Sequence, residues 1–236
     1  YRNKSNNLLY SILKRFFLIQ IDEIIVPGTM HKKYIKNFNQ RKKIHITKSV
    51  GLINITKKNT KKKIQKKKIK NLVYIGRISI EKNLNILIDF VKKNKELTLT
   101  IFGVDEMNLK SECTELLKKR IFFKGSIANK KVQKVLNNYD LLVLPSYFEP
   151  WGLVVEEAIY NGIPALVSDN VGCCSDLIKK NKVGFVFKNN SLKSLSRNYK
   201  KLSYSNNLKK INKNLSLLDY QKNKNDHLNV YSKLMY

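Results

Sequence analysis

Short apolar runs that each stop at a glycine or a proline constrain this chain more than any other feature. Leu72–Ile75 stops at Gly76, Leu97–Phe102 at Gly103, Ile121–Lys124 at Gly125, and Leu141–Leu144 at Pro145. Apolar runs of this length, cut off by residues that leave extended structure, suit strands buried on both faces of a parallel sheet. Segments with helical apolar spacing lie between them: Glu81 to about Asn94, Met107 to Lys118, and Asn129 to Asn138. Strands alternating with helices at this spacing predict an α/β fold, a Rossmann-like parallel sheet with helices on both faces. The stops then share the carboxyl edge of the sheet, where open α/β proteins bind their ligands.

Residues Asp140 to Asp169 read as strand, loop, helix and strand. Pro145-Ser146 ends the first strand. Tyr147 to Gly152 is the loop, Leu153 to Tyr160 the helix, and Asn161-Gly162 its end before Ala165 to Val167. The first amides of that helix, from Gly152 through Leu153 to Val154, have no acceptor in a preceding turn, so they form a ready anion site. Gly152 also lets a ligand approach the backbone closely. Glu149 stands in the loop and Glu157 in the helix, eight positions apart. Carboxylates beside an anion site suit the hydroxyls of a sugar, as an acidic residue does for ribose in dinucleotide sites. The pocket therefore looks built for a nucleotide sugar. Taken singly, these residues also have plainer readings: Glu156 and Glu157 complement the helix dipole, and Glu149 is a solvated loop carboxylate.

Arg77 and Lys82 follow Gly76 and fall near the same mouth if the strand ends converge. A lysine in the first turn of a helix opposes the dipole unless an anion compensates it, which favours phosphate binding by Lys82. One lysine among many is the alternative.

These residues resemble the donor-site signature of the retaining GT-B-fold glycosyltransferases of family 4. The matching residues are Pro145-Ser146, Glu149-Pro150-Trp151-Gly152-Leu153-Val154, Glu157-Ala158 and Gly162-Ile163-Pro164. Gly76-Arg77 with Lys82 matches a G-R-x-x-x-x-K segment of that family, and Phe123-x-Gly125-x-Ile127 a strand end of it. The resemblance covers residues 71 to 200, with a fainter trace over 20 to 50. It implies transfer of a sugar from a UDP-sugar or GDP-sugar with retention at the anomeric carbon and no cofactor; the sequence lacks metal-ligand spacings, so no metal is expected. Arg77 and Lys82 would hold and stabilise the diphosphate. Glu149 would bind the hydroxyls of the transferred sugar and Glu157 the ribose. The backbone at Leu153 and Val154 would meet the phosphates, and Ile127 would lie against the base. Arg77, Lys82 and Glu149 are the catalytic candidates. The G-x-G turn common in the family is Gly103-Val104-Asp105 here, a departure that leaves its role open.

The same resemblance divides the chain. Residues 1–56 read as part of an acceptor domain, with a helix over residues 5–20, a strand at Ile24-Ile25-Val26, a helix from His31 to Phe38 and a strand from Lys43 to Ile46. Residues 57–70 are a basic, self-repelling linker. Residues 71–200 form the donor-binding domain, closing with a loop from Asn170 to Asp176 and a strand from Gly184 to Phe187. Residues 201–236 supply helices that pack back toward the first domain. Two full Rossmann-like domains need more than 236 residues, and the chain begins at Tyr1, so a piece of a longer protein is expected. His31 is read as a surface residue at a helix start.

The formal charge of +30 is rich in lysines spread among many Asn and Ile residues, the pattern of an AT-rich coding sequence. Charge runs of this kind are usually solvated. The lysine run lacks interleaved aromatics, so no specific nucleic acid is expected, whereas peripheral contact with an anionic membrane fits. Cys113, Cys173 and Cys174 have no metal-ligand spacing and form no disulfide framework, which places the chain in a reducing, cytoplasmic compartment. No P-loop motif is present. The expected acceptor is a glycan or a lipid-linked molecule. Two other readings stay open: a non-catalytic remnant that keeps nucleotide binding, and a basic protein that binds nucleic acid or membrane surfaces.

Overall fold

The structure is a computed structural model that describes residues 8–38, 43–49, 68–111, 113 and 119–235. Helix α1 (Leu8–Ile19), strand β1 (Glu23–Val26), helix α2 (Thr29–Lys36) and strand β2 (Lys43–Ile46) come first. β1 and β2 pair in parallel, with Glu23 opposite Lys43. α1 turns its apolar side chains outward: Leu8, Leu9, Phe16 and Phe17 are all exposed. No described helix is long and apolar enough to cross a membrane. Most of the segment read as a basic linker, residues 57–67, lies outside the described residues.

The main sheet follows. Its strands are β3 (Asn71–Ile75), β4 (Thr98–Phe102), β5 (Ile121–Phe123), β6 (Leu141–Leu144), β7 (Ala165–Ser168) and β8 (Gly184–Phe187). All pair in parallel, in the order β5-β4-β3-β6-β7-β8. Every residue of β6 and β7 is buried, as the apolar runs required of strands covered on both faces. Asp140 starts the central pair by accepting the amides of Lys70 (2.9 Å) and Asn71 (2.8 Å). Four helices interleave with or follow the strands: α3 (Leu84–Lys93), α4 (Asn129–Leu136), α5 (Leu153–Tyr160) and α6 (Leu192–Ser203). α3 buries Leu84, Leu87, Phe90 and Val91 at helical spacing. Phe90 meets Tyr199 of α6 edge to face at 5.2 Å, and the Tyr199 hydroxyl donates to Ile69 O (3.1 Å) ahead of β3. Helices α7 (Ser205–Ser216) and α8 (Tyr220–Met235) end the described chain. The Tyr220 ring lies 5.5 Å from that of Tyr160, which seats α8 on α5.

The structure revises the predicted elements in several places. The helix predicted from Glu81 is two elements: a 3₁₀ turn (Ile80–Lys82), then α3, separated by Asn83 at φ +52°. Asparagine tolerates that left-handed conformation, and the helix cannot run through it. Lys82 thus ends a separate turn rather than sitting in the first turn of a helix, so no helix dipole opposes its charge. The described part of the predicted helix Met107–Lys118, residues 107–111, is a series of turns; residues 112 and 114–118 are not described. Asp105 sets those turns, accepting from the amides of Met107 (3.2 Å), Leu109 (3.0 Å) and Lys110 (2.9 Å). The predicted loop Asn170–Asp176 ends inside a π-helical turn, Cys174–Lys179.

Candidate functional site

The chain runs outward from β3 through β4 to β5, then returns and runs the other way through β6, β7 and β8. The reversal puts a crevice between the carboxyl ends of β3 and β6, the place where such sheets bind ligands. The loops around it are tied to one another by backbone hydrogen bonds. After β3 and β4, Gly76 N donates to Phe102 O (2.9 Å) and Ile78 N to Val104 O (2.9 Å). After β3 and β6, Tyr147 N donates to Glu81 O (2.8 Å). After β6 and β7, Gly172 N donates to Glu149 O (2.9 Å). At the first of these crossings the backbones nearly touch: a Cβ on Gly103 would overlap the Gly76 carbonyl. Only glycine fits there, and it draws the β3 and β4 turns into one rim.

Lys82 and Glu149 meet over the crevice. The Lys82 ammonium stands 2.8 Å from Oε2 of Glu149, with their side chains only 12% and 19% exposed. A half-buried pair gains more from its partner than a solvated one and loses more if left alone. Arg77 lies on the same rim but outward, 62% exposed, paired with Glu81 (3.2 Å) and Glu106 (3.5 Å). Its backbone is fixed by Tyr74, whose buried hydroxyl donates to Arg77 O (2.6 Å). Burial, then the charges of Glu149 and Glu81, push that phenol far above its usual range, so it stays a donor.

Gly152 precedes α5 at φ +96°, a conformation that costs other residues strain, and it turns the loop into the helix. Leu153 and Val154 open α5 at the carboxyl edge, their amides ahead of the first in-helix acceptor. Glu157 lies further along α5, partly buried, with no ion pair among the described residues. Burial and the neighbouring Glu156 push its carboxyl up to about 7. The structure therefore brings Arg77, Lys82 and Glu149 to one rim, with Gly152, Leu153 and Val154 on the loop and helix that carry Glu149. Glu157 shares that helix, with no hydrogen bond or ion pair to any of the three.

A cavity of about 310 Å³ opens beside this rim, lined by Ile78, Gly103, Val104, Asp105, Phe123 and Gly125 among others. Ile127 follows this lining and packs half-buried against the core. Among the described residues no group of three His, Cys, Asp or Glu side chains is placed to hold a metal ion.

His31 is where sequence reasoning fell short. It is half-buried, its ring 6.1 Å from that of Trp151 and close beside Gly172, and burial lowers its pKa. Glu156 likewise does more than complement the helix dipole. It is fully buried and accepts from Trp151 Nε1 (2.9 Å), from the Ser49 hydroxyl and from Asn223 Nδ2 (3.5 Å). Both depend on partners far along the chain, which local patterns do not carry. Cys173 and Cys174 are buried, and burial raises both thiols, which leaves them uncharged.

The architecture, with its six-stranded parallel sheet flanked by helices, defines an α/β protein of GT-B type. The chain belongs to the glycosyl transferases group 1, whose family model matches residues 56–231. Among curated relatives, an uncharacterized glycosyltransferase of Methanocaldococcus jannaschii is 26% identical over 163 residues, 66% of this chain and 38% of that protein. The poly(ribitol-phosphate) alpha-N-acetylglucosaminyltransferase of Staphylococcus aureus is 28% identical over 147 residues, 58% of this chain and 29% of its own. The chain thus spans well under two thirds of the curated relatives it matches. Among solved structures, sucrose-phosphate synthase from Thermosynechococcus elongatus superposes with a TM-score of 0.75 at 17% identity, over 96% of this chain and 62% of that one. Anabaena HepE, solved with UDP and glucose, superposes with a TM-score of 0.72 at 16% identity, over 96% and 67%. At these identities the superpositions show the shared fold.

Proposed function

We propose that this chain is the donor-binding part of a glycosyltransferase that moves a sugar from a UDP-sugar or GDP-sugar to a glycan or lipid-linked acceptor, with retention at the anomeric carbon. The observation that carries the reading is the Lys82–Glu149 pair over the crevice between β3 and β6. It sets a cation for phosphate and a carboxylate for sugar hydroxyls side by side, next to the helix start at Leu153 and Val154. Family membership and the UDP in the HepE structure support the donor class.

In this reading the diphosphate lies against Lys82, Arg77 and the amides of Leu153 and Val154. As the bond from the anomeric carbon to the diphosphate oxygen lengthens, negative charge builds on that oxygen. Fixed cations already aimed at it lower the barrier without reorganising. Lys82 exchanges Glu149 for phosphate when the donor arrives, which frees Glu149 to accept from hydroxyls of the transferred sugar and hold its anomeric carbon in place. Glu157 accepts from the ribose and Ile127 lies against the base. The segment carrying α1, β1, α2 and β2 belongs to the acceptor side, and the donor is a substrate, with no cofactor required.

Calorimetric titration with UDP and GDP, followed by a transfer assay with the nucleotide sugar that binds, tests this reading. Binding of one nucleotide with turnover supports it. Binding without turnover in a protein that also carries the remainder of the first domain would favour a non-catalytic nucleotide-binding protein. The outward apolar face of α1 beside Lys14 and Arg15 supports contact with an anionic membrane. Co-sedimentation with phosphatidylglycerol vesicles that falls as salt rises is the expected sign.

A further inference from the structure

Trp151 belongs to two places at once. Its backbone is part of the rim: Trp151 O accepts from Cys173 N (2.9 Å), beside the bond from Gly172 N to Glu149 O (2.9 Å). Its side chain is part of the junction with the β1–β2 unit. The indole is 4% exposed and lies against Gly28, where a Cβ would come within 2.5 Å of the ring, and near His31. The same junction is pinned next door by Asp176, whose Oδ2 accepts from Thr29 N (2.9 Å) and Thr29 Oγ1 (2.8 Å).

The group that fixes the indole is Glu156. One carboxylate oxygen accepts from Trp151 Nε1, and the other from Ser49, which follows β2, and from Asn223 of α8. A carboxylate at 0% exposure is costly unless both oxygens are satisfied. Here they are satisfied by three separate parts of the chain: the end of the β1–β2 unit, the rim loop and the C-terminal helix. Movement of Ser49 relative to α5 therefore takes the hydroxyl donor from Glu156 Oε1 or drags the carboxylate, and the indole bonded to it, along. The indole hangs from the loop that carries Glu149 and, at 4% exposure, has little room to swing independently of it.

We propose that Glu156 is a positioning residue that couples the seating of the β1–β2 unit to the shape of the Glu149–Gly152 loop, so that the donor rim is completed only when that unit is docked. Its consequence for the donor rests on the nucleotide-sugar reading above; the mechanical coupling does not.

Two variants of the full chain separate the possibilities. Ser49→Ala removes one donor on the β1–β2 side of the network, outside the rim loop itself. Glu156→Gln keeps the shape but offers one acceptor oxygen where the network uses two. Amide hydrogen exchange reads the coupling with no ligand present. Both variants are expected to speed exchange at Gly172 and Cys173 about tenfold, with the double variant no worse than Glu156→Gln, while Gly76 on the far side of the rim stays unchanged. Unchanged exchange at Gly172 and Cys173, or equal loosening at Gly76, overturns the proposal, because the contact is then inert or merely structural. Should Glu156→Gln fail to fold, Ser49→Ala alone decides. Titration with UDP and GDP reads the second half: both variants are expected to weaken the nucleotide that binds wild type by threefold or more. Loosened amides with unaltered affinity overturn the link to the donor. A wild-type protein that binds neither nucleotide sinks the nucleotide-sugar reading instead, and the exchange result still decides the coupling.

Discussion

Lys82 and Glu149 are 67 residues apart in the chain, yet their charged atoms stand 2.8 Å apart above the reversal point of the sheet. Two half-buried side chains that satisfy each other cost more when one is removed than when both are. Lys82→Ala and Glu149→Ala are therefore each expected to lower stability, and the double variant by less than their sum. A double-mutant cycle in urea should give a coupling of about 1–3 kcal/mol. Strictly additive effects would mean that the pair does not form.

Arg77 makes the opposite prediction for stability. It is largely exposed and its ion pairs are solvated, so Arg77→Ala should shift the unfolding midpoint little. Its effect belongs to the donor, with UDP or GDP affinity falling more than tenfold, about 1.4 kcal/mol or more. Glu157→Ala is expected to weaken the same nucleotide by a similar factor.

Glu157 also predicts a pH dependence. Its folded pKa of about 7 lies above the ordinary carboxylate value of 4.5 because burial and Glu156 disfavour the charge. The folded chain therefore holds that proton more tightly than the unfolded chain, and stability is lost as pH rises from about 4.5 through about 7. Glu157→Gln has no such charge to bury. Its melting temperature relative to wild type should rise between pH 5 and pH 8, and a flat difference across that range would contradict the assignment. In the same window the affinity of wild type for the intact nucleotide sugar should improve with pH, as the carboxylate forms to accept from the ribose, and Glu157→Gln should flatten the profile.

The crossing of the β3 and β4 turns is testable by two glycines that differ in their surroundings. Gly125 has φ +67°, and a methyl group added there would meet nothing within 4 Å, so Gly125→Ala should cost only the left-handed strain of about 1–2 kcal/mol. Gly103→Ala pushes a methyl into the Gly76 carbonyl and should cost clearly more. Equal midpoints for the two variants in chemical denaturation would show that the turns are not in contact.

Much of this was legible in the sequence. Lys43–Ile46, Leu141–Leu144, Leu153–Tyr160 and Gly184–Phe187 run as predicted, because apolar periodicity and flanking Gly or Pro mark both what an element is and where it stops. The rim was legible for the same reason, since parallel strand ends must share an edge. What escaped was set by single residues or by distance. Asn83 breaks a helical pattern that the apolar spacing carries straight through, and Asp105 replaces a predicted helix start with turns. The cluster of Ser49, Trp151, Glu156 and Asn223 joins residues far apart in sequence, and nothing local distinguishes Glu156 from a dipole-complementing glutamate. His31 follows the same rule: its half-burial is made by Trp151 and Gly172.

The central claim is that the rim at the β3–β6 crevice grips a nucleoside diphosphate, and calorimetry on wild type, Lys82→Ala and Arg77→Ala measures it most directly. Saturable binding of UDP or GDP to wild type, weakened more than tenfold in each variant that still melts cooperatively, is the predicted result. Equal affinity in all three proteins, or no binding of either nucleotide to folded wild type, would contradict it.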